Sequence, residues 1–178
     1  MVIMNDSLTK TADKLEPLFK DLPELPKNGR EWLVKAWPVL ALIFGILQLL
    51  AAWGLWHAGH LVNSLVNYSN AISHAYGSGV VVNHLGIFYW LGLIMLVVDG
   101  IVFLLAYPGL KARSEAGWNL IFLSALLNLI YGLFTAFDSS YGGIGKFIMT
   151  IIGSAIGFYF IYQVRSYYLK KAPSKKKA

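Results

Sequence analysis

The chain contains no cysteine. Disulfide bonds, thiolate nucleophiles and cysteine-ligated metal sites are therefore excluded together. Charged residues are also scarce, since Asp, Glu, Lys and Arg make up 13% of the 178 residues, whereas 57% are hydrophobic. A water-soluble domain with this balance would expose too much apolar surface. We therefore expect lipid to surround most of the chain.

The motifs that carry enzyme chemistry are missing as well. No span holds a pair of carboxylates, no glycine-rich loop precedes a helix with a phosphate-binding lysine, and no serine lies in a nucleophile motif. All four histidines lie in or beside one connection, and only His57 and His60 have the spacing of two ligands on one helix face. We predict no enzyme, no cofactor and no metal site.

Four long apolar stretches dominate what is present. Each has close to the roughly 20 residues that a helix needs to cross a membrane, and they cover about residues 37–56, 87–107, 118–137 and 147–164. Fourteen of the fifteen Lys and Arg residues lie in three patches outside these stretches, at residues 1–36, 111–113 and 165–177. Positive segments stay on the cytoplasmic side, so this pattern predicts that both termini are cytoplasmic.

We predict an all-α fold: an integral membrane four-helix bundle with an amphipathic N-terminal helix. Residues 1–36 form a cytoplasmic amphipathic arm and linker, and residues 37–166 form the bundle of four transmembrane helices. Residues 167–178 form a basic cytoplasmic tail. The same charge pattern places the connections at residues 58–84 and 138–146 outside.

Two helices are expected outside the spans. Apolar residues recur at three- and four-residue spacing from Leu8 to Leu22, which predicts an amphipathic helix in the arm. Pro17 should interrupt that helix, because proline lacks the backbone donor. In the outer loop at residues 58–84, a similar spacing of apolar residues predicts a short separate helix that lies on the membrane surface.

Asp99 is the one formally charged residue between Lys35 and Lys111. An ionised carboxylate inside a membrane span is unfavourable by about 2.5–3.5 kcal/mol on insertion scales. No lysine or arginine lies at its depth to pair with it. Three neutral polar side chains fall near that depth when each helix is counted at about 1.5 Å per residue, and together with Asp99 they are predicted to form an intramembrane polar cluster: Gln48, Asn128 and Ser154.

Small residues accompany the predicted cluster. Ser124 lies on the same helical stripe as Asn128, and small residues share the stripes of Gln48 and Asp99. Because small residues in membrane helices mark close packing, these polar groups should point into the bundle. Gly153 and Gly157 form a GxxxG pair, which we expect to serve packing inside the bundle, with dimerisation as the alternative.

Two functions of different classes remain open. The leading hypothesis is a small non-enzymatic protein of the plasma (inner) membrane, a scaffold or accessory subunit that uses its arm and tail on the cytoplasmic face. It follows from the missing catalytic motifs and from spans without a continuous polar face. The alternative is an oligomeric carrier coupled to protons or cations, in which Asp99 titrates and Gln48 and Asn128 coordinate the ion.

The expected partners follow from the same patterns. They are the lipid bilayer, anionic lipids at the basic tail, and a membrane protein partner or further copies of the chain. Positive charge beside a membrane span is explained by topology, so no nucleic acid is expected.

Overall fold

The computed structural model describes residues 2–136 and 143–169, and within them the chain forms helices and no strands. The α-helices are α1 (Val2–Leu15), α2 (Pro17–Lys20), α3 (Lys27–Ala75), α4 (Ile87–Lys111), α5 (Glu115–Ala136) and α6 (Gly143–Gln163). Four of them, α3 to α6, are long and apolar enough to cross a membrane. The prediction of an all-helical protein with four spans is confirmed at this level.

Two predicted segments fall outside the described residues. The first, residues 137–142, comprises the last residue of the third predicted span and most of the predicted outer connection at 138–146. The second is the basic tail from residue 170 onward.

Helix α3 is longer than predicted. It runs unbroken over Lys27–Ala75, a length of 49 residues. Residues 58–75 therefore extend the helix of the first predicted span beyond its expected end. The predicted outer loop with a separate surface helix is thereby corrected to a connection of residues 76–86. The physical reason is local, because residues 60–75 contain neither proline nor glycine. The first left-handed backbone angle comes at Gly77, with φ 66°.

The four long helices pack in the order of the sequence: α3 on α4, α4 on α5, and α5 on α6. Glycines allow the two closest crossings. A Cβ added at Gly45 of α3 would lie 3.0 Å from the carbonyl oxygen of Gly100 in α4. One added at Gly117 of α5 would lie 2.3 Å from the carbonyl carbon of Gly109 in α4. Small residues therefore bring these helix backbones into contact, as membrane helices require.

The largest buried side chains gather at one end of the bundle. We term it the basic end; it is the end at which residues 112–114 join α4 to α5. The rings of Trp118 and Phe122 stack at a centroid distance of 5.3 Å, and Phe158 of α6 packs on Phe122 at 5.7 Å. The other large residues of this core are Val34, Leu110, Ile121, Ile161, Val164 and Tyr168.

The N-terminal arm, α1 and α2, folds back over the basic end. Ala12 is fully buried, and the Phe19 ring stacks on that of Tyr162 with centroids 4.9 Å apart. The Thr9 hydroxyl donates to Glu115 Oε1 at 2.9 Å. The arm is interrupted at Pro17 as expected, since α1 ends before it and α2 begins with it. Its apolar face is therefore used inside the molecule.

Candidate functional site

Asp99 lies near the middle of α4 and is only 4% exposed. Three neutral side chains donate hydrogen bonds to its carboxylate. Gln48 Nε2 and Asn128 Nδ2 each donate to Oδ2 at 2.9 Å, and Ser124 Oγ donates to Oδ1 at 2.5 Å. Gln48 belongs to α3, whereas Ser124 and Asn128 belong to α5. These four residues, the Asp99 cluster, therefore connect three membrane helices.

The backbone places these side chains at the right distance. Gly45 lies three residues before Gln48, and its close approach to Gly100 brings α3 next to Asp99. On α5, Ser124 and Asn128 are four residues apart and so lie on the same helix face. Asn128 Nδ2 also donates to the backbone carbonyl of Ser124 at 3.0 Å. This second bond holds the amide in the orientation that reaches Asp99.

The side chains around Asp99 present hydrogen-bond donors to it. All three neighbours donate to its carboxyl oxygens. The ion pairs found among the described residues involve Lys27, Arg30 and Arg165, and none of them includes Asp99. Gln48 Oε1 is buried without a hydrogen-bond partner. A carboxylate beside a free amide oxygen is a combination that could also hold a small cation.

The structure brings together three of the four residues that the sequence suggested. Gln48 and Asn128 reach Asp99, but Ser154 of α6 is not among its partners. Ser124 occupies that role, so the cluster is corrected to include Ser124 in place of Ser154. The reason is the packing order, because α6 packs on α5 and lies beyond it from α4. The signal for Ser124 was available, since it shares the stripe of Asn128.

Gly153 and Gly157 do not pack inside the bundle as predicted. A Cβ added at either position would meet no heavy atom within 4 Å. Helix α6 contacts α5 elsewhere, for example where Thr150 lies against Gly132. The buried residues of α6 are Phe158 and Ile161, near its last turns. The GxxxG pair therefore lies on an open surface of the described chain.

A second polar site lies at the basic end, around Arg165. Its side chain is 4% exposed and forms ion pairs with Asp13 and Glu16 of the arm. Its guanidinium also lies over the Trp118 ring, 5.1 Å from the centroid. Sequence reasoning treated Arg165 only as a topology charge and missed this role. At the same end, burial raises the pKa of Tyr168 from its ordinary value to about 12.

At the other end of α3, three asparagines hold the returning chain. We term residues 57–75 of α3 the stalk. The Asn70 side chain exchanges two hydrogen bonds with the Val82 backbone, at 2.9 and 2.8 Å. Leu85 N donates to Asn63 Oδ1 at 3.0 Å, and the His84 ring bonds to Asn67 Oδ1 at 2.7 Å. Asparagines at positions 63, 67 and 70 share one helix face, which fixes the connection against the stalk.

The opposite face of the stalk is apolar and uncovered. Four side chains on it are largely exposed, and we term them the seam: Leu61 (62%), Leu65 (58%), Tyr68 (68%) and Ile72 (41%). Their spacing of four, three and four residues keeps them on one stripe of the helix.

The part of the chain that the structure describes holds no group of three or more His, Cys, Asp or Glu residues placed to bind a metal. His57 and His60 lie against aromatic rings, with centroid distances of 4.4 Å to Trp53 and 4.5 Å to Trp56. Comparison of the chain with models of protein families, with curated proteins and with solved structures gave no match.

Proposed function

We propose that the chain is a non-enzymatic four-pass protein of the plasma (inner) membrane that acts as a scaffold or accessory subunit. A helix of a partner membrane protein docks on its stalk, along the seam. The exposed seam is the observation that carries this proposal. The orientation we adopt, with both termini in the cytoplasm and the stalk outside, is supported by the three basic patches of the sequence.

The length of α3 supports a seam that lies in water. A helix of 49 residues is about 74 Å long at about 1.5 Å per residue, whereas the hydrocarbon core is about 30 Å thick. If residues 37–56 cross that core, the stalk extends about 28 Å beyond it. Exposed apolar side chains within the span then face lipid and need no partner, whereas the side chains of the seam then face water.

The spacing of the seam indicates what covers it. Apolar residues that alternate at intervals of four and three are the contact positions of a coiled coil. Scattered exposed apolar residues are ordinary, but a continuous apolar stripe on an exposed helix marks an interaction surface. The occupant that fits is a second amphipathic helix, which inserts its own apolar side chains between those of the seam.

We place the docking surface on the stalk and not on the arm. Its apolar residues pack on α5 and α6, and its acids Asp13 and Glu16 bind Arg165. These contacts use most of the apolar residues of the arm that the structure describes, although Leu18 and Leu22 remain exposed. The tail beyond residue 169 retains its proposed contact with anionic lipids, supported by its lysines.

Site-specific photo-cross-linking in native membranes tests this function. A photoreactive residue at Leu65 lies in the seam, whereas one at exposed Ala71 lies about 90° away around the helix and serves as the matched control. We expect a discrete protein adduct from position 65 and none from position 71. A second substitution, Leu61→Glu, should abolish the adduct. Equal adducts from both positions, or none from position 65, would contradict the proposal.

A carrier function is the second candidate, and Gln48 Oε1 is the observation that favours it. This buried oxygen has no partner and lies beside a carboxylate, while Asn128 in the same cluster is exposed. Purified protein in liposomes should then move protons or sodium ions down a gradient. Asp99→Asn keeps the shape of the side chain but removes its charge, so it should abolish that flux. Flux that persists in this variant would exclude Asp99 as the coupling group.

A further inference from the structure

A cavity of about 500 Å³ lies at the basic end, between the N-terminal arm and the end of α6. Its volume lies within the range of about 300–1,000 Å³ that is usual for sites of small ligands. Three acidic and three basic side chains line it: Asp13, Glu16, Glu24, Lys20, Arg30 and Arg165. Tyr162 and Phe19 supply aromatic walls. The cavity is therefore a polar chamber with equal numbers of opposite charges.

Two cationic side chains of this cavity are open to a ligand. Arg165 is buried and uses its terminal nitrogens on Asp13 and Glu16. The Arg30 side chain is 24% exposed, with Nη1 3.0 Å from Glu24 Oε2, and Lys20 is exposed and lines the cavity. Phosphate oxygens are acceptors that guanidinium and ammonium groups bind well, so Arg30 and Lys20 can bind a phosphate in the cavity.

The carboxylates of the cavity remain accessible. The side chains of Asp13, Glu16 and Glu24 are 58%, 52% and 72% exposed, although each pairs with an arginine. With three acids and three bases, the lining carries no formal net charge. A simple anion would therefore meet repulsion as well as attraction. A ligand that carries a phosphate and an ammonium group a short distance apart matches both sets of charges.

The position of the cavity in the fold indicates the source of such a ligand. Its lining includes Gln163, Arg165, Ser166 and Leu169, which lie at the end of the fourth predicted span, at residues 147–164, or just beyond it. This is the depth of lipid headgroups when α6 crosses the membrane. Leu22 and Leu169 line the cavity and are 42% and 39% exposed. They offer an apolar edge along which acyl chains can leave toward the bilayer.

We propose that this cavity binds the headgroup of a zwitterionic phospholipid that carries a primary amine. The phosphate accepts hydrogen bonds from Lys20 and from the exposed part of the Arg30 guanidinium. The ammonium group donates to the carboxylates of Asp13, Glu16 and Glu24. A primary ammonium has three N–H donors for three carboxylates, whereas a quaternary choline has none. The site is independent of the stalk and of the Asp99 cluster.

Native mass spectrometry of the purified full chain tests this site. The protein is released from nanodiscs that contain equal amounts of phosphatidylethanolamine, phosphatidylcholine and phosphatidylglycerol. We expect about tenfold higher retention of phosphatidylethanolamine than of the other two lipids. Equal retention of the ethanolamine and choline lipids would overturn the proposal. Preference for phosphatidylglycerol would also overturn it, because the site would then select negative charge alone.

Two matched variants locate the binding. Arg30→Gln removes one phosphate ligand but leaves the contacts of Arg165 with the arm, and should abolish the preference. Lys35→Gln makes the same charge change at an exposed residue that does not line the cavity, and should retain it. Circular dichroism confirms that both variants fold. A preference that survives in Arg30→Gln would refute the site.

A soluble competitor separates the lipid from its free headgroup. We expect millimolar O-phosphoethanolamine to leave the bound lipid in place, because the acyl chains add apolar contacts that the headgroup lacks. Displacement at that concentration would assign the site to a soluble phosphate-amine compound and overturn the lipid proposal.

Discussion

The two ends of the molecule are stabilised in different ways. The basic end buries large aromatic and aliphatic side chains such as Trp118, Phe122 and Tyr168, and the arm closes it with ion pairs to Arg165. Toward the other end, α6 has no buried residue before Phe158. The connection after the stalk is held by asparagine side chains on the backbone. One end has a core of its own, whereas the other leaves apolar surface uncovered.

This difference between the two ends reflects the solvent, water or lipid, that surrounds each region. Burial of apolar side chains is favourable where the alternative is water, and this condition applies where the arm covers the ends of the predicted spans. Between helices in lipid the same driving force is absent, so small residues and polar side chains determine the packing. The Asp99 cluster and the crossing at Gly45 and Gly100 are of this second kind. The seam fits neither solvent if the stalk extends into water, as we propose, and for this reason we assign it a partner.

The largest effect is expected at the crossing of α4 and α5. In Gly117→Ala the new Cβ would lie 2.3 Å from backbone atoms of α4, so the two helices must separate. We expect a loss of about 3 kcal/mol in the free energy of unfolding, measured by thermal or denaturant unfolding in detergent. Gly153→Ala is the control, because its Cβ meets open space, and it should change stability by less than about 0.5 kcal/mol. Equal effects of the two variants would remove the distinction between the two ends.

The second largest effect is expected on the docking of the arm at the basic end. Arg165→Met removes two charge-assisted contacts, and we expect it to weaken docking of the arm by about 2 kcal/mol. The effect stays below that of breaking a fully buried ion pair, because Asp13 and Glu16 are half exposed and regain water. Hydrogen exchange of amides in residues 8–20 reports the release, with exposed Lys10→Met as the control. Unchanged protection of the arm would show that its apolar contacts suffice.

A smaller loss of stability is expected when the Asp99 cluster is changed. Ser124→Ala leaves Asp99 Oδ1 without its donor, and we expect a loss of about 1.5 kcal/mol in stability because a buried acceptor loses its partner. Ser154→Ala is the matched control on α6 and should have no measurable effect. Unfolding in detergent measures both variants. A larger effect from position 154 would restore the cluster that the sequence alone suggested.

The smallest effect is expected at the asparagines of the stalk. Asn70→Ala frees the Val82 backbone, and these exposed hydrogen bonds should contribute about 1 kcal/mol locally. Hydrogen exchange at Val82 should accelerate about fivefold, while global stability stays constant. Ser64→Ala, whose hydroxyl bonds within its own helix, is the control. No change at Val82 would show that the segment is held by other contacts.

Much of the fold could be predicted from composition and charge, because apolar length determines membrane spans directly. Gln48, Asn128 and Asp99 were also accessible, since polar residues within spans are few and depth can be counted. The contact partner of Asp99 on α5 required the packing order, which single-sequence periodicity does not contain. Ser154 lies at the expected depth but on a helix that does not reach α4.

The stalk and the cavity could not be predicted either, and the reason differs from that for the Asp99 cluster. A helix that leaves the membrane and continues in water has the same local pattern as an amphipathic helix on the surface. Only the absence of a break between residues 56 and 61 separates the two. The cavity depends on the arm folding back onto Arg165, a contact between residues about 150 positions apart.

Accessibility of single cysteines in this cysteine-free chain is the most direct test of the central claim that a partner covers the seam outside the membrane. Leu65→Cys, Ala71→Cys and Ser114→Cys are labelled with a membrane-impermeant thiol reagent in intact cells and again after purification. The account predicts rapid labelling of Ala71→Cys in cells, slow labelling of Leu65→Cys and none of Ser114→Cys, with positions 65 and 71 becoming equal once the protein is purified. Equal rates at positions 65 and 71 in intact cells, or labelling of position 114 alone, would contradict it.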